Sequence, residues 1–117
     1  MSEMVFRLPA PGPDPMLTDL DGWTKVEGNP TMKTWVQHKT IDGSVISGTW
    51  EATTGTWHAV SQFYEFVHLI EGQITLTPEG GEPVTMVAGD AFAVEAGFRG
   101  TWKIEKPVRK HFCIKLA

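Results

Sequence analysis

Short runs of apolar and β-branched residues alternate with turn signals along most of this chain, and that alternation restricts the possible folds more than any other feature. Asp42-Gly43 and Gly89-Asp90, for example, are typical of tight turns. No segment has the sustained 3.6-residue apolar period of an amphipathic helix. Many short strands with regularly spaced turns are typical of sandwiches, jelly rolls and barrels, so the sequence predicts an all-β fold.

The predicted strands start after residue 31. Alternation of polar and apolar residues is clearest in residues 73–77, as expected for a half-buried strand. We expect chain breaks at Gly72 and before Pro107, because glycine and proline both weaken a regular ladder. The predicted strands are residues 32–39, 44–53, 57–60, 63–70, 73–77, 84–87, 91–94, 101–105 and 108–116.

The first 30 residues differ from the rest of the chain. Prolines stand at every second position of one stretch: Pro9, Pro11, Pro13 and Pro15. Proline lacks a backbone donor and fixes φ, which excludes a helix or a central strand there. We therefore divide the chain into an N-terminal arm, residues 1–30, and a β domain, residues 31–117. The arm is expected to lie extended on the surface or on a neighbouring subunit, with disorder as the alternative. Leu17, Leu20 and Trp23 would hold a short helical turn against the body.

Charge and composition exclude several classes of partner. The net charge is -4 and no run of lysine or arginine stands out, so we expect no nucleic-acid partner. No segment approaches the roughly 20 apolar residues of a membrane span, and the N-terminus has no apolar run typical of a signal peptide. Cys113 is the only cysteine, which suits a reducing compartment. We therefore expect a cytoplasmic protein that has no membrane partner.

Residues 63–70 form a predicted strand with two apolar faces, because side chains alternate across a strand. One face carries Phe63, Glu65, Val67 and Leu69. The other face, which we call the outer strip, carries Tyr64, Phe66, His68 and Ile70. One face must line the interior of the fold, and the other then needs a cover of its own. This pattern predicts a homodimer.

The spacing of His58, Glu65 and three glycines resembles the two sequence motifs of the cupin superfamily. Glu65 follows His58 by seven positions, and six residues separate it from Gly72. Gly89 and Gly97 match the glycines of the second motif. Cupins are jelly-roll barrels in which three His and one Glu bind a divalent metal. The resemblance therefore implies that the β domain is a small cupin jelly-roll barrel, preceded by the extended N-terminal arm.

On the family pattern, His58 and Glu65 occupy two of the four metal-ligand positions. Val60 and Gly100 occupy the other two, and neither residue can bind a metal through its side chain. A metal site needs three or four protein ligands. The resemblance thus implies either no cofactor or an incomplete site for Mn, Fe, Ni or Zn, built on His58 and Glu65. Further candidates for a third ligand are Gln62, Glu51 and His111.

Residues 44–116 also resemble small single-domain cupins related to ureidoglycine aminohydrolase, a manganese-dependent enzyme of purine breakdown. The residues that carry this resemblance are Glu65, Gly72, Gly89, Asp90, Gly97, the run Gly100-Thr101-Trp102-Lys103 and the run Val108-Arg109-Lys110. The metal ligands of that enzyme mix Glu, His and Gln, and this set has no counterpart at His58 and Val60. The resemblance therefore implies the fold without implying that reaction.

Glu65 shares its predicted face with apolar side chains, and a carboxylate in such surroundings needs a partner. Lys110 lies on the apolar face of the last predicted strand, together with Val108 and Phe112. We predict that the Lys110 ammonium points into the barrel and supplies the positive charge that a metal would otherwise supply. The alternatives are a solvated Glu65 at the barrel mouth and a Lys110 that extends into water.

Three functions remain open from the sequence, and no residue is assigned a catalytic role. The first is binding of a small polar molecule in the barrel without a full metal site, in a pocket lined by Glu65, His58, Lys110 and Trp102. The second is a metal-dependent enzyme similar to ureidoglycine aminohydrolase. The third is a non-catalytic dimeric interaction module that uses the outer strip.

Overall fold

The chain folds into eight β-strands, and the part of it that the structure describes, residues 4–116, contains no helix. The structure is a computed structural model. The first three residues of the predicted arm and the last residue of the predicted β domain lie outside the described residues. The strands are β1 (Trp23–Glu27), β2 (Met32–Lys39), β3 (Val45–Ala52), β4 (Gly55–Val60), β5 (Tyr64–Pro78), β6 (Val84–Val87), β7 (Ala91–Val94) and β8 (Arg99–Lys115). The all-β prediction is confirmed, and no helix among these residues could cross a membrane.

Strand β8 is the centre of one curled antiparallel sheet with the order β1-β4-β8-β3-β2. Its first half pairs with β4 and its second half pairs with β3. Along nearly its whole length it also pairs with β5, which in turn pairs with β6 and β7. One strand thus contacts three others, and the sheet folds around it to enclose the core, as in a small cupin jelly roll.

Strands β5 and β8 are each longer than the sequence predicts. We expected breaks at Gly72 and before Pro107, but both residues lie inside continuous strands. Near Gly72 and Pro107 the register between β5 and β8 shifts. The two predicted breaks are therefore bulges that face each other across the two strands. Gly72 has φ of 96°, and a Cβ there would overlap the carbonyl oxygen of Pro107. Glycine is required because the two backbones touch.

The N-terminal segment contributes a strand to the sheet, in addition to a stretch that lies on the surface. Strand β1, inside the predicted arm, pairs with β4 and is part of the sheet. The helical turn expected near Leu20 and Trp23 is absent from the described residues, although both side chains pack on the core. Residues ahead of β1 follow β2: the side chains of Trp35 and Gln37 donate hydrogen bonds to the carbonyls of Gly12 and Pro9 at 2.8 and 2.7 Å.

The core lies inside the curled sheet and is rich in tryptophan. Trp50, Trp57 and Trp102 are buried, and their rings pack around that of Trp23 with centroids 4.9–5.8 Å from it. The predicted facing is confirmed for residues 64–69: Glu65, Val67 and Leu69 point into this core, whereas Tyr64, Phe66 and His68 are exposed. Phe63, expected on the inward face, lies before β5 and is exposed, and Ile70 is half-buried. The inward face of β5 therefore brings a carboxylate into an aromatic interior.

Replacing Gly72 with alanine tests the close contact between β5 and β8. Gly97 has the same φ of 96° but open space around its Cβ position, so G97A is a matched control for backbone strain. We expect G97A to lower the free energy of unfolding by about 1–2 kcal/mol and G72A to lower it by a further 1–3 kcal/mol or so, because of steric overlap. Urea unfolding measures both, and equal losses would contradict the contact.

Candidate functional site

A buried ion pair occupies the interior of the barrel. Lys110 lies in the middle of β8, between Trp50 of β3 and Leu69 of β5 in the sheet. Glu65 begins the inward face of β5, opposite Ile114 of β8. The Lys110 Nζ donates a hydrogen bond of 2.8 Å to Glu65 Oε2. The predicted contact between these two residues is confirmed, while a role for them in ligand binding stays a prediction.

Aromatic rings complete the surroundings of the Lys110 ammonium. Its Nζ lies 4.4 Å from the ring centroid of Trp50 and 4.3 Å from that of Trp102, close enough for cation–π attraction to both rings. Only 3% of the Lys110 side chain and 12% of the Glu65 side chain are exposed. Burial lowers the pKa of Lys110, and the Glu65 carboxylate opposes that shift.

Two cavities meet at Glu65. The outer pocket has a volume of about 400 Å³ and opens at the barrel mouth, where its polar lining residues are Asp21, Ser61, Gln62 and Glu65. The inner cavity has a volume of about 80 Å³ and is lined by Glu65, Lys110 and Thr34, among apolar side chains. Leu20, Glu65 and Ile114 line both spaces. Glu65 therefore lies between the outer pocket and the smaller inner cavity.

Sequence reasoning missed Thr34 and Trp50, which belong to the same site. Thr34 pairs with Trp50 across β2 and β3, and Trp50 pairs with Lys110 across β3 and β8. One row across the sheet thus places all three side chains on the interior face. Thr34 Oγ1 is buried and has no hydrogen-bond partner among the described residues. The only sequence signal for this row was strand alternation, which does not fix the register between distant strands.

Trp102 lies where the sequence places it, on the inward face of β8. Its side chain is fully buried, and it contacts the Lys110 ammonium. Its Nε1 has no hydrogen-bond partner within residues 4–116. Trp102 lines neither the outer pocket nor the inner cavity. Its contribution to the site is the ring face presented to Lys110.

His58 does not join the site, contrary to the expectation that it lines the same pocket as Glu65. Trp57 and Ala59, its neighbours on β4, are both completely buried, so alternation turns His58 to the outer face. There its Nε2 lies 2.9 Å from Glu79 Oε1. This hydrogen bond, with a weaker effect from Arg99, lowers the pKa of Glu79. The expectation for His58 failed because the motif alignment places residue 58 inside the barrel. In the structure, residues 57 and 59 point inward instead.

The residues at the cupin metal positions do not fit a metal. The inward side chains of β4 are Trp57 and Ala59, which offer no ligand. A Cβ on Gly100 would overlap the carbonyl oxygen of Thr77, so no side chain can be accommodated there. Among residues 4–116, no group of three or more His, Cys, Asp or Glu side chains could hold a metal ion. Beside Glu65, the Lys110 ammonium already provides the positive charge.

Two of the three other third-ligand candidates lie apart from Glu65 and Lys110. The Glu51 carboxylate binds Arg109 at 2.8 Å. His111 pairs with His68 on the outer face of the sheet. Gln62 lines the outer pocket with Glu65, and it is the one candidate that the fold brings to the site.

Comparison with known families agrees with this architecture. Residues 40–112 match the family model of the EutQ-like cupin domain. The chain belongs to this family. A comparison with curated proteins finds no significant match.

Solved structures similar to this cupin share its fold. A DUF861-family protein of unknown function from Pseudomonas syringae pv. tomato superposes with a TM-score of 0.73 at 22% identity, over 87% of this chain and 43% of its own. This cupin thus spans less than half of that protein. An ethanolamine utilization protein Q from Salmonella typhimurium gives 0.66 at 17% identity, over 89% and 97% of the two chains. A DUF861-family protein from Thermotoga maritima gives 0.53 at 30% identity, over 55% and 73%.

Removing one member of the buried pair is expected to destabilise this cupin strongly. K110M leaves Glu65 as an unpaired buried carboxylate, which costs about 3–5 kcal/mol of unfolding free energy. Adding E65L to K110M removes the second charge and is expected to restore most of that loss. The neighbouring Arg109 pairs with Glu51 but is 44% exposed, so R109M serves as a control that costs about 1 kcal/mol or less.

Urea unfolding of the four proteins measures these differences. A K110M loss no larger than that of R109M would contradict the burial of the Lys110–Glu65 pair.

Proposed function

We propose that this cupin binds a small polar molecule in the outer pocket, with Glu65 as the main anchor and without a metal. The observation that carries the proposal is the double contact of Glu65, which lines the outer pocket and is held from behind by Lys110. Lys110 engages one carboxylate oxygen, and an ionised carboxylate accepts about four hydrogen bonds in total. Glu65 therefore keeps acceptor capacity for a ligand while Lys110 fixes its orientation.

The lining of the outer pocket selects the chemistry of the ligand. Its charged groups are the carboxylates Asp21 and Glu65, and no lysine or arginine of the described residues lines it. A pocket of this kind favours neutral or cationic molecules that donate N–H or O–H hydrogen bonds. Apolar contacts from Leu20, Trp23 and Ile114 suit a short hydrocarbon portion of the same molecule. Amines, amides and ureides fit these requirements better than small acids.

The resemblance to ureidoglycine aminohydrolase-related cupins supports the inclusion of ureides among the compounds to be tested. It does not support that enzyme's metal-dependent reaction, because the inward positions on β4 and at Gly100 lack ligands. His58, on the outer face, is not part of the proposed site. A cytoplasmic location stays part of the proposal, since amines and ureides of metabolism are available there.

Blocking the outer pocket is expected to abolish binding. Val60 lines the pocket, so V60W should fill it without contacting Lys110. Val26 is exposed on β1 and lines none of the cavities described above, which makes V26W a control of equal bulk. A panel of amines, amides, ureides and small acids is screened by thermal shift. A ligand present at 100 times its Kd should stabilise wild type and V26W by about 2.7 kcal/mol and leave V60W unchanged.

Stabilisation of V60W equal to that of wild type, or a response confined to small acids, would contradict the proposed pocket.

The predicted homodimer is a second proposal, and it concerns the opposite face of β5. Tyr64 and Phe66 of the outer strip are 37% and 44% exposed in the single chain. Adjacent aromatic side chains on a sheet face are typical of surfaces that pair with another protein. A second copy of this chain would cover them through a two-fold contact, because the same strip is then used twice.

Placing a charge in the outer strip is expected to dissociate such a dimer. F66E buries an unpaired carboxylate in the proposed contact, whereas V26E adds the same charge to an exposed residue of β1. Sedimentation over a range of concentrations should show monomeric F66E and dimeric V26E and wild type. A wild-type monomer, or an F66E dimer of unchanged affinity, would reject the contact.

A further inference from the structure

The inner cavity collects polar groups whose hydrogen-bonding capacity the fold leaves partly unused. Thr34 Oγ1 is buried without a partner in the described part of the chain. The Lys110 ammonium has three donors, of which one is directed to Glu65. With about 80 Å³, the cavity has room for two to three water molecules at roughly 30 Å³ each. A reactant of only a few heavy atoms fits the same space.

Lys110 has the surroundings in which a lysine amine becomes a nucleophile. A lysine in an apolar pocket loses its proton more readily than an exposed one, and burial lowers the pKa of Lys110. The Glu65 carboxylate lies 2.8 Å from Nζ and can accept the proton that leaves. The same carboxylate lines the outer pocket, through which a reactant would arrive.

We propose that Lys110 forms a Schiff base with small aldehydes or ketones that enter past Glu65. This inference rests on the proposed function, because it uses the outer pocket as the entrance, and it adds small carbonyl compounds that react in the inner cavity to the molecules bound in the outer pocket. Nothing in it requires a metal or a redox partner.

The proposed step balances with the groups present. Glu65 takes one proton from the Lys110 ammonium, and the neutral amine attacks the carbonyl carbon to form the C–N bond. Glu65 returns the proton to the carbonyl oxygen, which gives a carbinolamine whose nitrogen still carries two hydrogens and the positive charge. A second proton moves from nitrogen to the hydroxyl through Glu65, the C–O bond breaks, and water leaves. The product is a protonated imine, so the chain keeps the single positive charge that it had before the reaction.

Conservation of that charge is why this site suits the reaction. The imine nitrogen keeps the position of Nζ beside the rings of Trp50 and Trp102, 4.4 and 4.3 Å from their centroids. Both rings and the Glu65 carboxylate stabilise a cation at this point. The Thr34 hydroxyl lines the same cavity and can donate a hydrogen bond to the carbonyl oxygen of the reactant.

Reductive trapping on the intact protein tests the proposal. Wild type is treated at neutral pH with acetaldehyde and sodium cyanoborohydride, and the modified lysines are located by peptide mass spectrometry. Lys103 and Lys106 are exposed on the same strand and serve as internal controls. We expect Lys110 to gain an ethyl group before either control residue, and we expect this preference to vanish in urea-unfolded protein.

Three variants separate the roles of the groups. K110R keeps the positive charge and should lose the fast adduct. E65Q should slow labelling of Lys110 relative to Lys103. V60W should prevent labelling of Lys110 by blocking entry. The wild-type mapping does not depend on whether these variants fold. Labelling of Lys110 no faster than that of Lys103 and Lys106 would overturn the Schiff-base inference. If the thermal-shift screen still shows binding that V60W removes, the proposed binding function stands without it.

Discussion

The cost of burying two opposite charges is the constraint on which the rest of this structure depends. Lys110 and Glu65 lose almost all contact with water, and an unpaired ion in such a place costs several kcal/mol. The cost is offset only if the two atoms meet at hydrogen-bond distance and the ammonium also faces the rings of Trp50 and Trp102. The contact joins β5 and β8, the two longest strands, so their register and the position of the aromatic core are coupled to it.

The same pair explains how a cupin barrel keeps a carboxylate in its interior without metal ligands. A glutamate surrounded by apolar side chains needs a positive partner, and in this chain the partner is an amine carried by the barrel itself. Because the chain itself supplies this amine, no metal ligands are needed at the inward positions on β4, which are filled by Trp57 and Ala59. The backbone at Gly100 can also approach Thr77 more closely than a histidine would allow.

Strand alternation predicted part of this site from the sequence, and family spacing misplaced another part. Period-2 alternation correctly puts Glu65 inside and Phe66 outside, because one covered face fixes the phase of a strand. His58 fails because motif spacing alone chose the phase of β4, against the flanking Trp57 and Ala59. Thr34 could not be found, since its place beside Lys110 depends on the registers of β2 with β3 and of β3 with β8, which no local pattern encodes.

This chain keeps the glycines of the cupin pattern but lacks metal ligands at two of the four ligand positions, and the reason for the difference is geometric. Gly72 is held in place by the contact between two backbones, at a φ that other residues avoid. That requirement for glycine depends on the path of the backbone and not on which side chains fill the interior of the barrel. A side chain that points inward is constrained only by charge balance and volume, so an ammonium can stand where a metal would. A family pattern read from one sequence therefore predicts the barrel more securely than the chemistry inside it.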